Sequence, residues 1–137
     1  MYWKKKLKYD VDRIFVIETN IDDMSSEFLG YLMDRAFEAG ALDVYFTPIQ
    51  MKKDRPATMV SLLARHEDLD SIVELVLTET TTFGLRYYEV DRKKLSRKIV
   101  SVETKYGTAN VKQGYLGGKI IKAIPEYERS EEHTSEL

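Results

Sequence analysis

The 137-residue sequence has no cysteine. Disulfides and thiolate metal sites are therefore excluded. Histidine is nearly absent as well: His133 falls in an unusual tail, which leaves His66 alone. A soft or borderline metal finds no full set of protein ligands here. A hard cation such as Mg²⁺ or Mn²⁺ needs only carboxylate and phosphate oxygens. No apolar run reaches the roughly 20 residues of a membrane span. Met1-Tyr2-Trp3-Lys4-Lys5-Lys6 is charged without an apolar segment behind it and does not read as a signal peptide. The expected location is cytoplasmic. There is no glycine-rich phosphate loop of the P-loop or Rossmann type.

The last nine residues, Arg129-Ser130-Glu131-Glu132-His133-Thr134-Ser135-Glu136-Leu137, match the translation of a common sequencing-adapter oligonucleotide. They are expected to be a read-through artefact and are set aside. On that expectation the chain is a fragment of 128 native residues, one domain by length. The chain carries 21 Lys+Arg and 23 Asp+Glu; without the tail's one Arg and three Glu they balance at 20 against 20. No field of one sign exists to steer the chain to nucleic acid or a membrane. Any anion site must be local.

What is present is a run of short periodic segments. Ile14-Phe15-Val16-Ile17 predicts a strand over 13–19 that is buried on both faces. Phe28, Leu29, Leu32, Met33, Ala36 and Phe37 recur at helical spacing over 25–39. Asp23, Ser25 or Ser26 can cap that helix and Gly40 can end it. Leu42, Val44 and Phe46 alternate with Asp43, Tyr45 and Thr47, a strand over 41–50. Residues 52–56 read as a turn, 58–64 as a strand, 68–77 as a helix and 85–90 as a strand. The order is βαββαβ over about residues 11–92, an α+β ferredoxin-like pattern after a lead-in at 1–10. Right-handed crossovers then give the strand order 4-1-3-2. Three further strands, 98–104, 108–113 and 119–124, predict a C-terminal β-meander, within a segment 93–128. Helices can cover only one face of the first sheet. The other apolar face suggests a homo-oligomer.

This topology brings three polar clusters to one end of the sheet: Asn20-Ile21-Asp22-Asp23-Met24, Met51-Lys52-Lys53-Asp54-Arg55-Pro56 and Glu79-Thr80-Thr81-Thr82-Phe83-Gly84. Asp22 and Asp23 can cap the first helix. One cap needs one carboxylate, and a pair with Glu18 and Asn20 upstream can hold a hard divalent cation. Lys52, Lys53 and Arg55 are either a solvated turn or phosphate contacts, with Arg55 able to donate two parallel bonds. Thr80, Thr81 and Thr82 are either β-branched residues entering a strand or hydroxyl donors to phosphate or sugar. Arg86 is a further phosphate contact or an exposed strand residue. His66 lies at the opposite end and reads as structural, so no nucleophile–base set and no catalytic residue is assigned. Tyr87, Tyr88, Tyr106 and Tyr115 read as packing.

At these same residues the sequence resembles a known family. Glu18-Thr19-Asn20-Ile21-Asp22-Asp23-Met24, Gly40-Ala41-Leu42-Asp43-Val44, Thr47-Pro48-Ile49-Gln50-Met51-Lys52-Lys53 and Glu79-Thr80-Thr81-Thr82-Phe83-Gly84 are similar to the C-terminal domain of the LarC family over about residues 11–128. These are the nickel-insertion proteins that complete the nickel-pincer nucleotide cofactor of lactate racemase. The resemblance implies a lyase-class chelatase that puts Ni²⁺ into pyridinium-3,5-bisthiocarboxylic acid mononucleotide and consumes CTP with Mg²⁺ or Mn²⁺. It implies that this domain binds the nucleotide, with nickel handled by an N-terminal region missing here. Asp22 and Asp23 would then hold the divalent cation. Lys52, Lys53 and Arg55 would neutralise phosphate oxygens, and Thr80, Thr81 and Thr82 would contact phosphate or ribose. Asp54 and Ala57 depart from the family's more frequent Asn and Gly in the hairpin. A closing helix is expected beyond Glu128, where the tail stands instead.

Two other readings share the pattern. A small-ligand regulatory module would bind effectors at a subunit interface, but has no need of cations facing Asp22 and Asp23. An RNA-recognition domain needs aromatic and basic residues on its third strand, and Thr58-Met59-Val60-Ser61-Leu62-Leu63 has none.

Overall fold

The computed structural model describes residues 8–126. The adapter-like tail, His133, the place of the expected closing helix and most of the 1–10 lead-in lie outside the described residues. The chain runs β1 (Asp10–Ile21), α1 (Ser26–Glu38), β2 (Asp43–Met51), β3 (Arg55–Ala64), α2 (Leu69–Glu79), β4 (Arg86–Lys94), β5 (Ser96–Thr104), β6 (Gly107–Leu116) and β7 (Lys119–Glu126). Short 3₁₀ turns at Lys52–Asp54 and His66–Asp68 precede β3 and α2. Two compact units result, Arg13–Val90 and the residues 8–12 with 91–126.

The first unit is α+β with sheet order β2-β3-β1-β4, the ferredoxin-like order. β3 is antiparallel to β1 and to β2, pairing Glu18 with Ser61 and Ser61 with Tyr45. Glu18 meets Arg86 while Arg13 meets Glu89, so β4 runs antiparallel to β1. One sheet face places Ile17, Ile21, Val60, Leu62 and Ala64 against Leu29, Leu32 and Ala36 of α1 and Ile72 and Val76 of α2. Alternation sends the intervening residues to the other face. There Ile14, Val16 and Leu63 join Leu42 and Val90 in a second, smaller cluster. The buried pair Val16 and Ile17 thus bears out a β1 buried on both faces.

Helix ends follow their sequence signals. Ser25 caps α1, its Oγ accepting from the Phe28 N–H at 3.3 Å. Gly40, at φ 104°, takes the left-handed step just past the helix. A Cβ there would meet Asp68 Cγ at 2.9 Å. The hairpin differs from the turn expected at 52–56. Only Lys52–Asp54 leave the ladder, and β3 already begins at Arg55. Pro56 is tolerated in a central strand because the β1 pairing stops at Thr58, so Pro56 faces only Gln50 of β2. The second unit pairs β5, β6 and β7 as an antiparallel meander. Gly107 and the Gly117–Gly118 pair supply the positive φ angles of its turns.

Candidate functional site

The three polar clusters meet at one end of the sheet. Since Ser25 performs the cap, neither Asp22 nor Asp23 is spent on the helix N-terminus. Asp22 Oδ2 instead accepts from Arg55 Nη1 at 3.3 Å, tying the β1–α1 loop to the hairpin. Asp23 Oδ1 accepts from Thr81 Oγ1 at 2.6 Å, tying the same loop to the α2–β4 loop. Lys53 and Asp54 stand in succession at φ 61° and 55°, and Gln50 Nε2 donates to Asp54 Oδ1 at 2.9 Å. This tight turn leaves Lys52 and Lys53 exposed, with no side-chain hydrogen bond or ion pair among the described residues. Asp22 and Asp23 do not form a cage. Among the described residues no group of three or more His, Cys, Asp or Glu side chains could hold a metal ion. A pair of carboxylates suits a Mg²⁺-type cation whose remaining ligands are water and substrate phosphate.

The threonines have divided duties, and none lies in a strand. Thr80 ends α2, its hydroxyl donating to the Val76 carbonyl at 2.7 Å and accepting from the Thr82 N–H at 3.2 Å. Thr82 Oγ1 lies 2.7 Å from the Gly84 carbonyl and 2.8 Å from Thr19 Oγ1. Thr19, buried in β1, also reaches that carbonyl at 3.0 Å. Two hydroxyl protons serve these three contacts, so this knot fixes the loop to the sheet. Thr81 alone reaches across to an acidic residue.

Beside the knot is a groove of about 370 Å³ lined by Glu18, Asn20, Thr82, Gly84, Leu85 and Arg86, with Thr19. Arg86 Nε donates to Glu18 Oε1 at 2.8 Å, and Arg86 Nη2 lies 3.5 Å from Met59 Sδ. Tyr88 Oη donates to Glu18 Oε2 at 3.0 Å. That bond, followed by burial, raises the Tyr88 phenol above its ordinary value and keeps it a donor. Tyr88, read from the sequence as packing, instead donates to a carboxylate, and the role of Thr19 was not read at all. Alternation was the signal for Tyr88: Glu18 and Asn20 share one face of β1, and Arg86 and Tyr88 share one face of β4. Phe83, at the tip of the same loop, is fully exposed. His66 stands at the other end, its ring centroid 4.5 Å from that of Phe15 and its Nε2 3.8 Å from Glu89.

The family model described as "Nickel insertion protein" matches residues 1–137. The chain is 44% identical over 117 residues to the pyridinium-3,5-bisthiocarboxylic acid mononucleotide nickel insertion protein of Thermotoga petrophila, covering 85% of this chain and 30% of that one. It is 45% identical over 134 residues to the protein of the same name from Acetivibrio thermocellus, covering 98% and 32%. The chain therefore spans about a third of the length of these curated relatives. Among solved structures, it resembles the apo C-terminal domain of a cyclometallase involved in the synthesis of the NPN cofactor of lactate racemase. The TM-score is 0.81 and the identity 45%, over 86% of this chain and 81% of that one. A protein of Methanopyrus kandleri, at TM-score 0.73 and 18% identity over 88% of this chain and 76% of that one, shares the fold.

Proposed function

The chain belongs to the nickel insertion protein family, and from that premise we propose that it is the nucleotide-holding domain of a cyclometallase. It binds CTP with Mg²⁺ or Mn²⁺. The whole enzyme inserts Ni²⁺ into pyridinium-3,5-bisthiocarboxylic acid mononucleotide, as the names of the relatives suggest. Nickel is a substrate in this reading. We assign its handling to the part of the relatives' length that this chain does not span. The observation that carries the reading is the pair of carboxylates released from capping duty and turned toward the cation-bearing hairpin and the threonine loop.

Each residue has a job that follows from its chemistry. Asp22 and Asp23 would hold the divalent cation, which when bound offsets charge on the phosphate oxygens. Arg55 carries a planar fork suited to two phosphate oxygens, and Asp22 orients it beforehand. Lys52 and Lys53 contribute as mobile point charges on a stiff turn. Thr81 steadies Asp23, whereas Thr80 and Thr82 shape the loop. Charge reversal, Lys53→Glu or Arg55→Glu, should weaken CTP binding by about tenfold or more, since charge-assisted bonds are worth about 1.5–3 kcal/mol. Titration calorimetry that finds CTP affinity intact in both variants would sink the phosphate assignment.

A further inference from the structure

The meander has two outer strands, and they are not alike. The sheet order β5-β6-β7 leaves β5 and β7 each without a strand on the outer side among the described residues. An outer strand presents a row of unpaired N–H and C=O groups, which proteins guard with proline, lysine or a bulge. β7 carries all three. Pro125 removes a donor, and Lys119 and Lys122 add charge. Gly114 pairs with Lys122 and Tyr115 with Ile120, which leaves Ile121 as an extra residue. β5 has no proline and pairs with β6 from Ser96 to Thr104 without a shift. Its middle, Ile99-Val100-Ser101-Val102, is uncharged, with Ile99 60% and Val102 41% exposed.

The charges toward the ends of β5 are the second observation. Arg97 and Glu103 stand at equal distances on either side of Val100, share one face of the strand and are exposed. Arg97 has no side-chain hydrogen bond or ion pair among the described residues. Glu103 accepts only from the Thr108 hydroxyl, at 3.4 Å. When one β5 is laid antiparallel to another with Val100 opposite Val100, Arg97 falls opposite Glu103 at both ends. Ile99 falls opposite Ser101, and Lys98 opposite Val102. The strand is complementary to itself about a two-fold axis, as a symmetric pair of copies requires. Opposite charges and β-branched residues facing each other across strands are both stabilising. A shift of two residues, the smallest that keeps the faces, sets Arg97 against Ser101 or Glu103 against Ile99. Either way both ion pairs are lost.

We propose that β5 is the contact strand of a two-fold dimer, joining the meanders of two copies of this chain edge to edge in one continuous sheet. The backbone ladder supplies the attraction, the Arg97–Glu103 pairs fix the register, and Val100 sits on the axis. A three-stranded sheet with no buried hydrophobic side chain among the described residues is a marginal unit and gains from added strands. The contact is a single strand pair, so association is reversible and depends on concentration. None of its residues belongs to the three polar clusters, so it stands independently of the nucleotide reading.

Sedimentation velocity of the full chain over a range of concentrations tests the dimer. The native chain should move from monomer toward dimer as concentration rises. Arg97→Glu or Glu103→Arg alone sets like charges opposite each other at both ends of the strand and should weaken the dimer by about tenfold or more. Both positions are exposed, so the fold should be unaffected. The double variant Arg97→Glu/Glu103→Arg reverses both pairs and should recover the dimer. Cross-linking reads the register. The chain has no cysteine, so Val100→Cys places the dimer's two thiols opposite each other and should give a disulfide-linked dimer on mild oxidation. Lys98→Cys, whose copy lies farther along the strand, should not. A native chain that stays monomeric, or an assembly indifferent to both single variants, overturns the proposal. So does a double variant that fails to re-form the dimer, or linkage through Lys98→Cys in place of Val100→Cys.

Discussion

Every buried hydrophobic side chain among the described residues belongs to Arg13–Val90, and none to the β5–β6–β7 sheet. In the first unit two helices close over one sheet face and a second cluster forms on the other. In the meander, Ile99, Ile120, Ile121 and Ile124 are all exposed. That unit is held by its backbone ladders and by polar ties. Arg92 donates to both oxygens of Asp12 at 3.0 and 2.8 Å, and Lys94 Nζ adds a third contact at 3.1 Å. The Gly117 N–H donates to the Lys8 carbonyl at 2.9 Å. Apolar burial responds weakly to pH, whereas charged hydrogen bonds respond directly. Both units contain charge pairs, but only the first has an apolar core beneath them, so the second should depend on its charge pairs more heavily.

The largest expected effect sharpens this contrast by truncation. Leu32→Ala removes a fully buried side chain between helix and sheet and should cost about 2–5 kcal/mol. Ile124→Ala in the meander should cost about 0.5 kcal/mol or less. Urea unfolding of both variants checks the pair, and equal losses would break the comparison. Next is Gly40→Ala, which combines φ 104° with a Cβ contact of 2.9 Å to Asp68. A loss of about 1–2 kcal/mol is expected, unchanged between pH 6 and pH 8 because its cause is steric.

A modest effect in the meander's unit depends on pH. Hydrogen bonding from Arg92 holds the Asp12 carboxyl below its ordinary value of 3.8, opposed by burial and aided by Lys94. As pH falls below 3.8 the unfolded chain takes up the proton first. Asp12's contribution is thus full above that value and is lost toward the lower folded value. Asp12→Asn should lower stability at pH 7 by about 1 kcal/mol, a modest figure because the Asp12 side chain is 37% exposed. Melting curves from pH 6 to pH 2 should flatten in the variant. An identical acid slope in both proteins would show that another carboxylate carries it.

Much of the fold was legible because its signals are local. Apolar runs gave the element order, and crossover handedness then gave the strand order. Strand ends were less legible. β1 extends to Asp10 and β4 to Lys94 through residues with little apolar patterning, which are held instead by cross-strand charge pairs. At the candidate site, the meeting of the three loops followed from topology, but the division of labour did not. Thr80, Thr81 and Thr82 look alike in sequence, and only the turn of α2 decides which hydroxyl returns to Val76 and which reaches Asp23. Glu18 and Arg86 are 68 residues apart in the chain, and register alone makes them neighbours.

The most direct test of the central claim is CTP titration into the full chain, with and without Mg²⁺ or Mn²⁺, beside the double variant Asp22→Asn/Asp23→Asn. Binding should require the cation and be abolished in the double variant while its melting temperature holds. Binding that is indifferent to the cation, or that survives in the double variant, would contradict a nucleotide site at the three-loop end of the sheet.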